Sequence, residues 1–247
     1  MIVSYILPCY HKASLLRLML PVNECYRAND VEVILVLDEP TEARQVLQIV
    51  RETRDIKFQV IVNDWDHVWR PPCIAYNIGI RYARAQHVIL TDPESAISMP
   101  VTDYPDRLIR EDFRACYSGL CWYDEDMKLE DSPEVIRHKM QVCEATGKVW
   151  HWGNGFLLAP KLALERIYGF DESRTSYGLD DNDIRVRLAR LGNRCVIDGA
   201  IKVFHAGHSD THRTLPTELP GPNIALREQK ESWGRQYSRV LFDYQNV

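Results

Sequence analysis

Val31-Glu32-Val33-Ile34-Leu35-Val36-Leu37 runs directly into Asp38-Glu39-Pro40. Six of those first seven residues are apolar and do not alternate with polar ones, which reads as a strand covered on both faces. Working outward, residues 3–7 form a similar short run that stops at Pro8, and residues 14–20 follow with a helical look. Ala43, Val46, Leu47 and Val50 recur at helical spacing over residues 41–54. A third strand is expected at 58–62, a helix at 72–85 with Ile74, Ile78 and Tyr82 on one stripe, and a fourth strand at 87–91. Strands alternating with helices predict a parallel sheet and an α/β fold. Ligands of such sheets bind beyond the carboxyl ends of the strands. Pro8-Cys9-Tyr10, Asp38-Glu39 and Asp92-Pro93-Glu94 all stand at such ends.

Beyond residue 95 the rhythm changes. A strand is expected at 116–122 and a helix at 133–146, then an aromatic, glycine-rich loop at 150–155 and a short strand at 156–159. A helix at 161–168 closes on Gly169, and Ile184, Leu188 and Leu191 mark one face of another that stops at Gly192. Strands at 195–198 and 201–204 precede a long loop at 209–223 and a closing helix at 224–237.

The chain has 247 residues, 45% apolar and 26% charged, which suits a globular protein with a substantial core. A formal net charge of −5 argues against coating nucleic acid, and a nucleic-acid acceptor is not expected. No apolar run is long enough to span a bilayer, and Met1-Ile2-Val3-Ser4 lacks the basic start of a signal peptide. The seven cysteines are odd in number and show no C-x-x-C, so reduced, mostly buried thiols in a cytoplasmic protein are expected. Peripheral contact with a membrane stays open.

The densest chemistry lies in Ser176-Tyr177-Gly178-Leu179-Asp180-Asp181-Asn182-Asp183-Ile184. Three carboxylates in four residues are costly unless they serve a helix start or a proton transfer. Capping accounts for Asp180 as N-cap and Asp183 in the first turn, and the helix macrodipole favours all three acids, so the block alone supports a well-capped helix; a base at Asp181 would have its pKa lowered by the helix N-terminus. Asp92 and Glu94 are i, i+2 and point the same way in an extended segment; an Asp-Pro turn is the structural alternative. His205 and His208 follow the apolar run 201–204. Carboxylates with a histidine suit Mn²⁺, with Mg²⁺ as second choice, and the whole set suggests a metal-assisted transferase.

This series of motifs resembles the inverting glycosyltransferases of GT-A fold, family 2 and its relatives, over roughly residues 1–208. Ser4-Tyr5-Ile6-Leu7-Pro8-Cys9-Tyr10 is similar to the family's first strand and nucleotide loop, and Val33-Ile34-Leu35-Val36-Leu37-Asp38 to its second strand with a base-contacting aspartate. Ala75-Tyr76-Asn77-Ile78-Gly79 resembles its A-x-N-x-G helix, and Asp92-Pro93-Glu94 stands in the place of its D-x-D motif. Gly169-Phe170-Asp171-Glu172 with Tyr177-Gly178-Leu179-Asp180-Asp181-Asn182-Asp183 is similar to its G-F-D-E … G-x-x-E-D-x-D block. Two departures stand out: Glu94 in the last place of D-x-D, and Asp180 where the family carries a glutamate that contacts the acceptor.

The resemblance implies a GT-A (Rossmann-like nucleotide-diphospho-sugar transferase) α/β fold with a mixed, mainly parallel sheet. The catalytic domain would span 1–215, with a nucleotide-binding half at 1–95 and an acceptor-side half at 96–215. Residues 216–247 would pack on it as a loop and helix. It implies inverting transfer from a UDP- or GDP-sugar to a glycan, lipid-linked or other hydroxyl acceptor. Asp181 would be the base. Asp92, Glu94 and either His205 or His208 would hold Mn²⁺ or Mg²⁺. Pro8, Tyr10, Asp38, Arg70, Asn77, Asp92, Trp152, Gly155 and Asp180 would contact substrates, with Trp150, Trp152 and Tyr177 as sugar-stacking candidates. A non-catalytic nucleotide-sugar-binding protein is the alternative. A sugar-phosphate nucleotidyltransferase is the other, although Pro8-Cys9-Tyr10-His11-Lys12 lacks the glycines its phosphate loop needs.

Overall fold

The computed structural model describes residues 2–38, 40–64, 72–124, 126–146, 149, 151–173, 180–207, 233 and 238–246. Its strands are β1 (Val3–Cys9), β2 (Val31–Leu37), β3 (Phe58–Asn63), β4 (His87–Thr91), β5 (Ser95–Ser98), β6 (Cys116–Asp124), β7 (His151–Pro160), β8 (Cys195–Ala206) and β9 (Ser238–Asp243). Its α-helices are α1 (Ala13–Met19), α2 (Ala43–Glu52), α3 (Pro72–Tyr82), α4 (Tyr104–Glu111), α5 (Pro133–Thr146), α6 (Lys161–Arg166) and α7 (Asp180–Arg190). The strands form one sheet in the order β5-β8-β6-β7-β4-β1-β2-β3-β9. β1 to β4 are parallel, as are β6 and β8; β7, β5 and β9 run against their neighbours. The sheet is therefore mixed and mainly parallel, as expected.

Apolar side chains explain the layering. Leu16, Val46, Ile49, Val50, Leu108 and Ile109 pack on one face of the sheet. Ile74, Ile78, Ala163, Leu164, Ile184 and Leu188 form a second cluster with Ile6, Ile34 and Val88 of the strands. Helices α1, α2 and α4 thus belong to one cluster, and α3, α6 and α7 to the other. Each fully buried Leu or Ile stabilises by roughly 1.5–3 kcal/mol relative to exposure. Glu32 is the polar exception inside β2: it accepts from Ser4 Oγ at 2.6 Å and from the Arg84 backbone N–H at 2.9 Å.

Four expectations change. Residues 150–155 were read as a loop, but β7 already starts at His151. Gly153 and Gly155 produce a bulge instead of ending the strand. Pairing steps from Leu157 to Trp152 along β7 while advancing only from Ser118 to Leu120 along β6. The two late strands are one, β8, irregular at the same level of β6. β5 and α4, both short, were not foreseen. The C-terminal segment supplies strand β9, where a loop and helix were expected. Residues 208–232 lie outside the described residues, and so does all of the expected closing helix except Trp233, which is buried against the α3 cluster.

Candidate active site

The chain winds β1-α1-β2-α2-β3 on one side, then crosses through α3 to place β4 on the other side of β1. The crevice beyond the carboxyl ends of β1 and β4 is therefore the topological switch point of the sheet, where ligands bind in open α/β folds. Three predicted tips meet there. Pro8 and Tyr10 are half-buried at the end of β1, and the chain turns sharply at His11 (φ 53°). Asp38, just past β2, is buried; its carboxylate accepts from Asn63 Nδ2 at 2.8 Å, and its N–H donates to the Cys9 carbonyl at 2.8 Å.

Asp92-Pro93-Glu94 forms a tight turn, closed by the Ser95 N–H on the Asp92 carbonyl at 3.1 Å. The expected extended segment is thereby replaced, and the two carboxylates serve different walls. Asp92 accepts from the Tyr76 hydroxyl at 3.0 Å. A Cβ added at Gly155 would lie 4.0 Å from Asp92 Oδ2. Burial first, then the charge of Glu94, pushes the Asp92 carboxyl up to about 7. Glu94 Oε1 instead receives Lys12 Nζ at 2.9 Å and lies 3.6 Å from His205 Nε2. Tyr123 stacks on the His205 ring, with centroids 5.7 Å apart.

Among the described residues no three His, Cys, Asp or Glu side chains converge into a metal-holding set. Glu94 and His205 do offer one carboxylate and one imidazole side by side, a donor pair that suits Mn²⁺. Magnesium-type sites commonly take only one or two protein ligands and complete their shell with substrate phosphate and water. The residues fit a cation of that kind.

Asp181 sits in the first turn of α7, and the Gly155 N–H donates to its carboxylate. Gly155 has φ 73°, a backbone conformation that glycine adopts without steric cost. Burial, then the nearby charges of Asp180 and Asp92, pushes the Asp181 carboxyl well above the usual carboxylate range. The helix N-terminus was expected to lower it; desolvation and like charges win instead. Arg185, one turn on, donates from Nε to the Asp181 carbonyl at 3.2 Å and from Nη2 to Asn154 Oδ1 at 3.1 Å. It ties the start of α7 to the bulge of β7. Asp183 is buried against Arg187, a structural role, while Asp180 is the first residue of the helix.

Asn77 is buried in α3. Its Oδ1 accepts from the Phe170 N–H at 2.7 Å, and its Nδ2 donates to the Phe170 carbonyl at 2.9 Å and to Glu172 at 3.0 Å. The side chain expected to touch substrate is engaged in fastening the Gly169–Glu172 segment to α3. Phe170 in turn stacks on Tyr76 at 4.9 Å, the same Tyr76 that holds Asp92.

Of the other expected residues, Arg70 and His208 lie outside the described residues, as do Trp150 and Tyr177 and the side chain of Trp152. Lys12, Tyr76 and Arg185 were not singled out from sequence. Lys12 stood in the quoted loop, and Arg185 lies four residues after Asp181, a spacing that puts both on one helical face.

No protein-family description matches the chain, and no curated protein matches it in sequence. Solved structures do. A mannosyltransferase of Pyrobaculum calidifontis, PcManGT, in complex with GDP-Man and Mn²⁺, aligns with a TM-score of 0.59 at 19% identity, covering 85% of this chain and 58% of that one. S. aureus TarS 1–349 in complex with UDP aligns at 0.61 and 18%, covering 84% and 61%. The same protein with UDP-GlcNAc aligns at 0.56 and 18%, covering 86% and 60%. This chain spans less than two thirds of each neighbour's length. These neighbours are GT-A-type glycosyltransferases, and at such identities the likeness speaks for architecture: the chain has the GT-A glycosyltransferase fold.

Proposed function

We propose that the chain is a glycosyltransferase that moves a sugar, with inversion, from a nucleotide-diphosphate sugar to an acceptor hydroxyl. The observation that carries this reading is the pairing of acids across the switch-point crevice. Asp181 is held by the Gly155 N–H and Asp92 by Tyr76, close enough that the charge of Asp92 raises the pKa of Asp181. The solved neighbours hold GDP-Man, UDP and UDP-GlcNAc, which supports a GDP- or UDP-linked donor.

In this reading the nucleoside lies along the tips of β1 and β2, with Pro8, Tyr10 and Asp38 as its neighbours and Arg70 as a further contact. Asp92 orients the sugar or ribose. Trp152, Gly155 and Asp180 line the acceptor side. Asn77 acts as a positioning residue. Glu94 and His205, with His208 as the alternative, would hold a divalent cation, which supplies positive charge to the departing diphosphate. Asp181 takes the acceptor hydroxyl proton as the acceptor oxygen bonds to the anomeric carbon and the carbon–oxygen bond to diphosphate breaks. A raised pKa makes that carboxylate a stronger base than a solvated aspartate.

The test is release of UDP or GDP from a panel of nucleotide sugars with Mn²⁺ and candidate hydroxyl acceptors. NMR of the product anomer would read the stereochemistry. Turnover lost in Asp181→Asn and an inverted anomer are expected. Retention of configuration, or full turnover in Asp181→Asn, would overturn the assignment.

A further inference from the structure

One oxygen of Glu94 serves two partners: Lys12 Nζ at 2.9 Å and His205 Nε2 at 3.6 Å. The root of Lys12 is fixed, because its backbone N–H donates to Glu42 Oε2 at 2.9 Å and that of Ala13 donates to Glu42 Oε1 at 3.2 Å. The Lys12 side chain is 18% exposed and that of Glu94 5%, so the ion pair sits at the wall of the crevice and largely away from water. An ammonium therefore occupies the carboxylate oxygen that faces the His205 imidazole. Two cations on one such oxygen repel strongly in a partly dehydrated site. Lysine is a point charge on a flexible stem, with donors suited to phosphate as well as carboxylate.

We propose that Lys12 and the divalent cation compete for Glu94. The donor-free protein keeps Lys12 on Glu94. The cation enters together with the nucleoside diphosphate, whose oxygens receive the displaced ammonium. Lys12 is then both the guard of the cation position and a contact of the diphosphate. This inference rests on the donor-site reading above.

The experiment measures Mn²⁺ alone, by paramagnetic resonance of the free ion, and UDP and GDP in the presence of chelator, by calorimetry. Wild type is compared with Lys12→Met, Lys12→Gln, Lys12→Arg and Glu94→Gln, each with native circular dichroism. Removing the ammonium should tighten binding of Mn²⁺ alone by about fivefold and weaken metal-free nucleotide binding by a similar factor, the scale of one partly exposed ion pair. Lys12→Arg should behave like wild type, and Glu94→Gln should weaken Mn²⁺ binding. Unchanged Mn²⁺ affinity in both Lys12→Met and Lys12→Gln would overturn the competition. If neither UDP nor GDP binds wild type even with Mn²⁺, the donor-site reading itself falls. If nucleotide binds with Mn²⁺ but the neutral Lys12 variants match wild type throughout, only the role of Lys12 falls.

Discussion

Arg187 grips Asp183 through a single carboxylate oxygen, from Nε at 3.0 Å and from Nη2 at 2.6 Å, with both side chains buried. Its third contact, Nη1 to the Ile167 carbonyl at 2.7 Å, joins α7 to the end of α6. Arg187→Met takes the guanidinium away from a buried carboxylate. It should cost about 3–5 kcal/mol in denaturant unfolding. Adding Asp183→Asn should restore much of that loss, because the charge needing a partner is gone.

Asp181→Asn is expected to lower transfer by about a hundred- to ten-thousand-fold, the usual range for a lost general base. Binding of UDP or GDP should persist. Asp181 is forced to ionise while half-buried beside Asp180 and Asp92, so the neutral amide should melt no lower than wild type near pH 8. Thermal unfolding and nucleotide titration on the same sample separate a lost base from a damaged fold.

Asn77→Ala removes three hydrogen bonds, among them the one that the buried Phe170 N–H donates. A loss of about 1–3 kcal/mol is expected. Turnover should suffer through Phe170 and Tyr76, which set the position of Asp92. Unchanged stability with sharply weaker nucleotide binding would instead mark Asn77 as a direct contact.

His87 is buried, with Nε2 against the Phe113 carbonyl at 2.9 Å and its ring edge-on to Phe113. Burial holds its pKa below the usual imidazole value. The unfolded chain thus takes up the proton first as pH drops. Stability conferred by neutral His87 is complete above the unfolded pKa, about 6.5, and declines as pH falls below it. Denaturant unfolding at pH 7.5 and pH 5.5 should show this decline, and His87→Gln should shrink the difference.

The first 95 residues were legible because their strands are buried on both faces: β2 and β4 begin and end where the apolar runs do. The residues after 95 were less so, for local reasons. Gly153 and Gly155 look like loop residues, yet pairing of β7 with β6 on either side of them holds them in a bulged strand, and that bulge brings a backbone N–H to Asp181. Asp92 and Glu94 were paired by spacing, but Pro93 turns the chain between them. The pKa of Asp181 was misjudged because the burial that dominates it, and the charge of Asp92 that adds to that of neighbouring Asp180, follow from segments the chain brings together only on folding. Lys12 was visible as a residue, while its partner Glu94 lies in another strand connection.

Strand β9 covers the outer edge of β3, and Asp243 there takes the guanidinium of Arg84, which also reaches buried Glu32 at 3.2 Å. Without that last strand, Phe58-Gln59-Val60-Ile61-Val62-Asn63 would offer an open, strongly apolar template for a neighbouring molecule. The final residues therefore act as a solubility device. A chain shortened before Ser238 would fail first by self-association in storage, well before the crevice at the tips of β1 and β4 was disturbed.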